Sequence, residues 1–309
     1  MRLCTLIGLL ALWTQPASAQ AIARTPDGHP DLQGVWATEF ITRTERPKEA
    51  ATLEASPEDA RRIADAILAR SAKNLVTDPD NAFYGYDQLA KVGGAFRTSL
   101  IVAPADGKIP FTKAGSELAD RFDTTESYGF DNPEERPPYE RCVSGLLAAP
   151  IRTLPMLIPL QIVQTPDHVV MWNEDIQGVR IIPLGDPSRA AIPQFDGRAS
   201  ARWDGDTLVV ETTDFRVDDI ARPDAGPPIV LEGNTRITER FTRTTSDTLL
   251  YQYTVDDPDL YTAPWSAEYE FRTLKDGAVY EYACHEANHS MINMLTAGRL
   301  GQQPTKPVK

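Results

Sequence analysis

Apolar and polar positions along the chain follow two periods, and the change from one to the other organises it. Near the N-terminus, "ASPEDARRIADAILAR" (55–70) places Ile63, Ile67 and Leu68, with Ala60 and Ala64, on one helical face. Ser56 suits an N-cap and Pro57 the first helical position, so a helix is predicted over 57–73. "KAGSELADRF" (113–122) predicts a shorter helix. From residue 160 the period falls to two. "QIVQTP", "HVVMWNE" and "VRIIPL" read as short strands. "ASARWDGDTLVVETTDF" (199–215) reads as a hairpin turning at Asp204-Gly205. "TRITERFTRT" with "DTLLYQYTVDD" predicts a second hairpin. "SAEYEFRTL" with "AVYEYAC" predicts a third, around Lys275-Asp276-Gly277. Leu249, Tyr251, Tyr253 and Val255 share one face, as do Tyr269 and Phe271. Arg236, Arg240, Glu268, Glu270 and Arg272 lie on the opposite faces. Residues 74–96, 123–140 and 221–229 are rich in Asn, Asp, Gly or Pro and predict loops.

Adding strands at 34–40 and 97–104 gives about ten or eleven, a number that curls or splits. The predicted fold is mainly β. An antiparallel meander (160–284) closes into a barrel-like, calycin-like domain spanning 20–309, with an N-terminal helical insertion and a C-terminal helix. That last helix is predicted over 286–297, buried through Met291, Ile292, Met294 and Leu295 and ended by Gly298.

The first residues read as an address rather than as fold. Arg2, an apolar run from Leu3 to Trp13, and Ala17-Ser18-Ala19 form a secretory signal pattern, predicting cleavage after Ala19 and a periplasmic or secreted product. The run is too short to span a bilayer, and no later stretch is apolar enough. Cys142 and Cys284 remain after cleavage, and an oxidising compartment favours their pairing. The bond would close a loop of roughly 140 residues, contributing about 4–5 kcal/mol by chain entropy. With 44 acidic against 31 basic residues the formal charge is −13, which disfavours nucleic acid and anionic lipid as partners. The partner expected is a small-molecule ligand or substrate.

"PDLQGVW" (30–36), "GKIPFT" (107–112), "RWDGDTLVVETTDF" (202–215), "TERFTR" (238–243), "VDDPDLYTAPW" (255–265) and "YACHEANHSM" (282–291) run through most of the chain. Together they resemble a large group of exported bacterial proteins of uncharacterised function. That resemblance implies kinship and export, without a chemistry. Gly34 and Trp36 are also similar to the G-x-W signature on the first strand of lipocalins, which implies a calycin-like barrel.

Candidate chemistry gathers at "YACHEANHSM". His285, Glu286 and His289 have the H-E-x-x-H spacing that, on a helix, sets two zinc ligands on one face with a glutamate between them. Beyond His289 the chain holds no His, Asp, Glu or Cys, and position 292 is Ile where metzincins have Gly. A third zinc ligand would therefore come from upstream, a carboxylate or His168. A metal-free reading makes His285 a general acid or base with Glu286 orienting it, in an isomerase, lyase, hydratase or hydrolase. Arg152 or Arg141 would hold a ligand oxygen. Trp172, Tyr251, Asn288 and His289 would line the substrate site. A third reading gives Glu286 only a capping role at the helix N-terminus. Trp203 and Trp265 read as core plugs or ligand platforms. No G-x-S-x-G elbow, P-loop or G-x-G-x-x-G occurs. The function expected is an exported acid–base enzyme without cofactor, acting on a small, partly apolar organic molecule; the alternatives are a periplasmic binding protein without catalysis and a zinc hydrolase.

Overall fold

The computed structural model describes residues 21–74, 86–122, 129–154, 158–176, 178–185, 192–216, 220–224, 226–286 and 288–301. The predicted signal segment and its cleavage point lie outside the described residues. In chain order come β1 (Gly34–Ala37), β2 (Glu54–Ala55), α1 (Pro57–Asn74), β3 (Lys91–Val92), β4 (Ala95–Arg97), β5 (Ile101–Ala103) and α2 (Lys113–Phe122). A 3₁₀ turn at Pro133–Glu135 opens a long irregular stretch. Then follow β6 (Leu160–Gln164), β7 (His168–Asn173), β8 (Val179–Pro183), β9 (Arg198–Asp204) and β10 (Thr207–Thr213). β11 (Ile220–Asp224), β12 (Gly226–Leu231), β13 (Arg236–Arg243), β14 (Thr248–Asp256), β15 (Trp265–Thr273) and α3 (His289–Arg299) complete the order.

One antiparallel sheet dominates, in the order β8-β7-β6-β1-β15-β14-β13-β10-β9. Its ends nearly meet: Leu184 bridges Ala201, and the Gly185 amide donates to the Ala201 carbonyl at 2.8 Å. The result is a barrel-like sheet with almost no free edge. Period-two alternation turns Trp36, Ile162, Met171, Val210, Phe241, Tyr251, Trp265 and Tyr269 into a continuous core. Trp265 is thus a core plug, whereas Trp203 is half-buried and stacks on His29 at 4.5 Å. α1 packs its predicted apolar face against a separate cluster containing Ile41 and Leu89. Its first turn is capped by Ser56, whose hydroxyl accepts from the Asp59 amide at 3.1 Å. The main turn is also as expected: Gly205, at φ +58, takes the left-handed conformation between β9 and β10.

Three local expectations are corrected. The stretch 221–229 is not a loop. β11 and β12 pair across it, because Ile229, Val230 and Leu231 are fully buried, while Pro227 and Pro228 are tolerated in a two-stranded ribbon. Within 74–96, β3 and β4 form a small hairpin through Gly93 and Gly94, both at positive φ. The third hairpin of the meander has no return strand. One edge of β15 is taken by β14 and the other is shared by β1 and β5, so "AVYEYAC" finds no ladder to join. Tyr280 and Tyr282 are left 71% and 52% exposed.

The barrel lumen is occupied by the chain itself. Residues 144–152 run through it as a buried, irregular plug. A buried backbone without regular structure needs partners for its polar groups, and the barrel supplies them. The Tyr251 hydroxyl accepts from the Ile151 amide at 2.7 Å, and the Tyr269 hydroxyl donates to the Ile151 carbonyl at 2.9 Å. Arg180 Nη1 donates to the Leu147 carbonyl at 3.2 Å, and Asp175 accepts from the Leu146 amide. Ser144 is held between Arg222 and Asp196. Behind the plug lies Glu239, fully buried. It pairs with Arg180 at 2.5 Å and accepts the Tyr251 hydroxyl at 2.8 Å. Burial pulls the Arg180 pKa down, but the charge of Glu239 outweighs it and holds the guanidinium above its ordinary value.

Candidate functional site

Cys142 and Cys284 stand at disulfide distance, with Cα atoms 5.8 Å apart. This tie brings the C-terminal segment onto the barrel mouth, beside the entry of the plug. The Tyr280 amide adds a hydrogen bond to Glu174 Oε1 at 2.8 Å. Asn288 supplies a third contact, donating to the Glu140 carbonyl at 3.5 Å and approaching Cys142 Sγ at 3.4 Å. Between the segment and the β7–β8 corner opens a cleft of about 690 Å³. Its sheet wall carries Trp172, Asn173, Asp175, Gly178 and Val179. Its other wall is the run Glu281, Tyr282, Ala283, Cys284, His285 and Glu286.

Each wall has a local cause. Trp172 and Val179 face each other across the β7–β8 ladder on its outer side. Asn173, one position on, points the opposite way, is 4% exposed, and Gly178 packs directly against its amide oxygen. A Cβ at Gly178 would collide with that oxygen, so the corner requires glycine. Asp175 is buried and accepts from the Leu146 amide and the Tyr139 hydroxyl. Burial first, and then the Asp175 charge, push the Tyr139 hydroxyl up to about 12. One carboxylate thus joins the plug to the cleft floor.

His285 and Glu286 line the cleft as exposed side chains on its rim, in a turn rather than at a strand end. α3 starts only at His289, with Asn288 as N-cap accepting from the Met291 amide at 3.3 Å. His285 therefore precedes the helix, and the four-residue spacing to His289 does not put the two imidazoles on one helical face. His289 is exposed and lies outside the cleft lining, and His168 opens β7 at the end opposite Trp172. Among the described residues no group of three or more His, Cys, Asp and Glu is arranged to hold a metal ion. Glu286 lies outside α3, so the capping role belongs to Asn288 instead.

The expected arginines are elsewhere. Arg152 is buried, with Nη2 donating to the Gly145 carbonyl. Arg141 lies over the Phe195 ring at 5.4 Å. Neither lines the cleft. Tyr251, expected at a ligand site, is fully buried and committed to Ile151 and Glu239. The C-terminal helix also runs further than its sequence predicts. Gly298 lies inside it, because Phe130 packs where a Cβ would stand, and Gly301 at φ +69 follows its end. Of its predicted apolar face Leu295 is buried but Ile292 is 65% exposed.

Trp172, His285 and Glu286, expected in one site, line one cleft; Asn173, Asp175, Glu281 and Tyr282 line it without having been expected there, and Glu239 lies buried behind the plug. For Glu239 a signal existed: it shares strand parity with Ile237 and Phe241. No known protein family, curated protein or solved structure matches this chain.

Proposed function

We propose that this is an exported small-molecule-binding protein that takes its ligand in the cleft at the barrel mouth. The observation that carries this reading is the division of space. Residues 144–152 fill the lumen, and the concave surface left beside the disulfide combines aromatic walls with unshielded polar groups. The signal pattern at Arg2–Ala19 and the similarity of the chain's motifs to exported proteins support the location. Exposure of His285 and Glu286 argues for binding over acid–base chemistry, because an open rim neither encloses a reacting molecule nor holds it in one orientation against these two side chains.

A second reading keeps catalysis, since His285 and Glu286 are neighbours on one cleft wall. One experiment separates the two. The mature protein is incubated with a small-molecule extract, and bound and free compounds are followed by mass spectrometry. The binding reading predicts compounds retained with unchanged mass by the wild type, and no change of mass with His285→Ala/Glu286→Ala, whatever affinity the variant keeps. Compounds whose mass changes only with the wild-type protein would overturn it in favour of the enzyme.

A further inference from the structure

We infer that the ligand taken in this cleft is an organic cation with a flat apolar body; this rests on the binding reading above. The apolar part has two aromatic walls, Trp172 from the sheet and the half-exposed Tyr282 from the C-terminal segment. Aromatic faces present negative potential to a bound cation. Carboxylates stand beside them. Glu281 and Glu286 stand exposed on the rim and form no ion pair among the described residues. No Lys or Arg lines the cleft among the described residues. An anionic ligand would meet these carboxylates without a compensating charge.

Independently of the carboxylates, the floor offers an acceptor. Asn173 lines it, is almost fully buried, and its Oδ1 accepts no hydrogen bond. A buried oxygen left unpaired is costly unless a donor reaches it. Gly178 packs against that oxygen at the cleft floor, and a ligand N–H or a water that parts this contact supplies the donor.

The test is calorimetric, on the full mature chain with its disulfide intact. Three probes that share one phenyl ring and differ in charge are used: benzyltrimethylammonium, benzyl alcohol and benzoate. The ammonium is expected to bind, the other two to bind at least about tenfold more weakly or not at all. Trp172→Ala, and separately Glu281→Gln/Glu286→Gln, should each weaken the ammonium about tenfold, and added salt should weaken it further. The glutamine variant alters only exposed side chains, and its unchanged thermal midpoint certifies its fold. Benzyl alcohol or benzoate binding as tightly as the ammonium, with loss in Trp172→Ala, overturns the cation and leaves the cleft as a binding site. Unchanged ammonium affinity in the glutamine variant also overturns the cation. Silence from all three probes overturns both readings.

Discussion

Glu239 and Glu286 are carboxylates of the same molecule, each with a tyrosine in its region, yet they live in different surroundings. Glu239 is sealed behind the plug, with Arg180 neutralising its charge and Tyr251 donating to it. Glu286 sits on a rim open to water, with Tyr282 along the same wall. In the lumen, polar side chains answer the needs of a buried backbone. In the cleft, Glu281 and Glu286 stand exposed on the rim with no ion pair among the described residues. A barrel that looks ligand-sized from its strand number can therefore be solid, with its binding surface moved to the mouth. What separates the two regions is whether the chain's own carbonyls and amides already use the polar groups.

The comparison breaks first at Glu239. Glu239→Ala leaves Arg180 charged and unpaired in the core, and is expected to cost about 3–5 kcal/mol in urea unfolding. A loss below about 1 kcal/mol would mean that the lumen is wet rather than sealed. Next comes the tie between the regions. Cys142→Ser/Cys284→Ser is expected to lose about 2–5 kcal/mol by the same measurement, since the bond links positions 142 residues apart. It should also weaken cleft binding, because Tyr282 and His285 flank the lost anchor.

Tyr251→Phe is a milder intrusion into the lumen. It strips partners from the Ile151 amide and Glu239 together, at an expected cost of about 1–3 kcal/mol. The same residue shapes the alkaline limb. Burial holds the Tyr251 hydroxyl protonated well above its ordinary value of 10, and Tyr261 shifts in the same direction for the same first cause. The folded state keeps these protons more tightly than the unfolded chain. The stability they contribute is complete below pH 10 and is lost as pH rises beyond it; Tyr251→Phe should flatten that decline. Smallest of all, His285→Ala and Glu286→Ala should change stability by less than about 0.5 kcal/mol, as exposed groups do. A larger loss would show that the rim is part of the packing.

Most of the barrel was legible in the sequence because its signal is local. The alternation in "DTLLYQYTVDD" states both the strand and its buried face, and Asp204-Gly205 states the turn. The final hairpin was misread because "AVYEYAC" carries the same alternation, and only the sheet order reveals that β15 has no edge to offer. Alternation records a tendency to pair; the available partner is a non-local fact. The plug was illegible for a similar reason. "SGLLAAPIR" is apolar without a period, and nothing in it says that tyrosine hydroxyls from distant strands will satisfy its backbone. At the site, Cys142 and Cys284 meet as their pairing predicts, and this contact holds His285 and Glu286 beside the barrel. The arginines chosen to join them were drawn elsewhere by closer partners, Arg152 by the Gly145 carbonyl and Arg141 by Phe195.

Where a guest molecule sits is read most directly by amide chemical-shift mapping during titration with benzyltrimethylammonium. Perturbations confined to residues 172–179 and 281–286, with Leu146, Ile151, Glu239 and Tyr251 unmoved, are the predicted result. Shifts centred on those four lumen residues, with the rim silent, would contradict it.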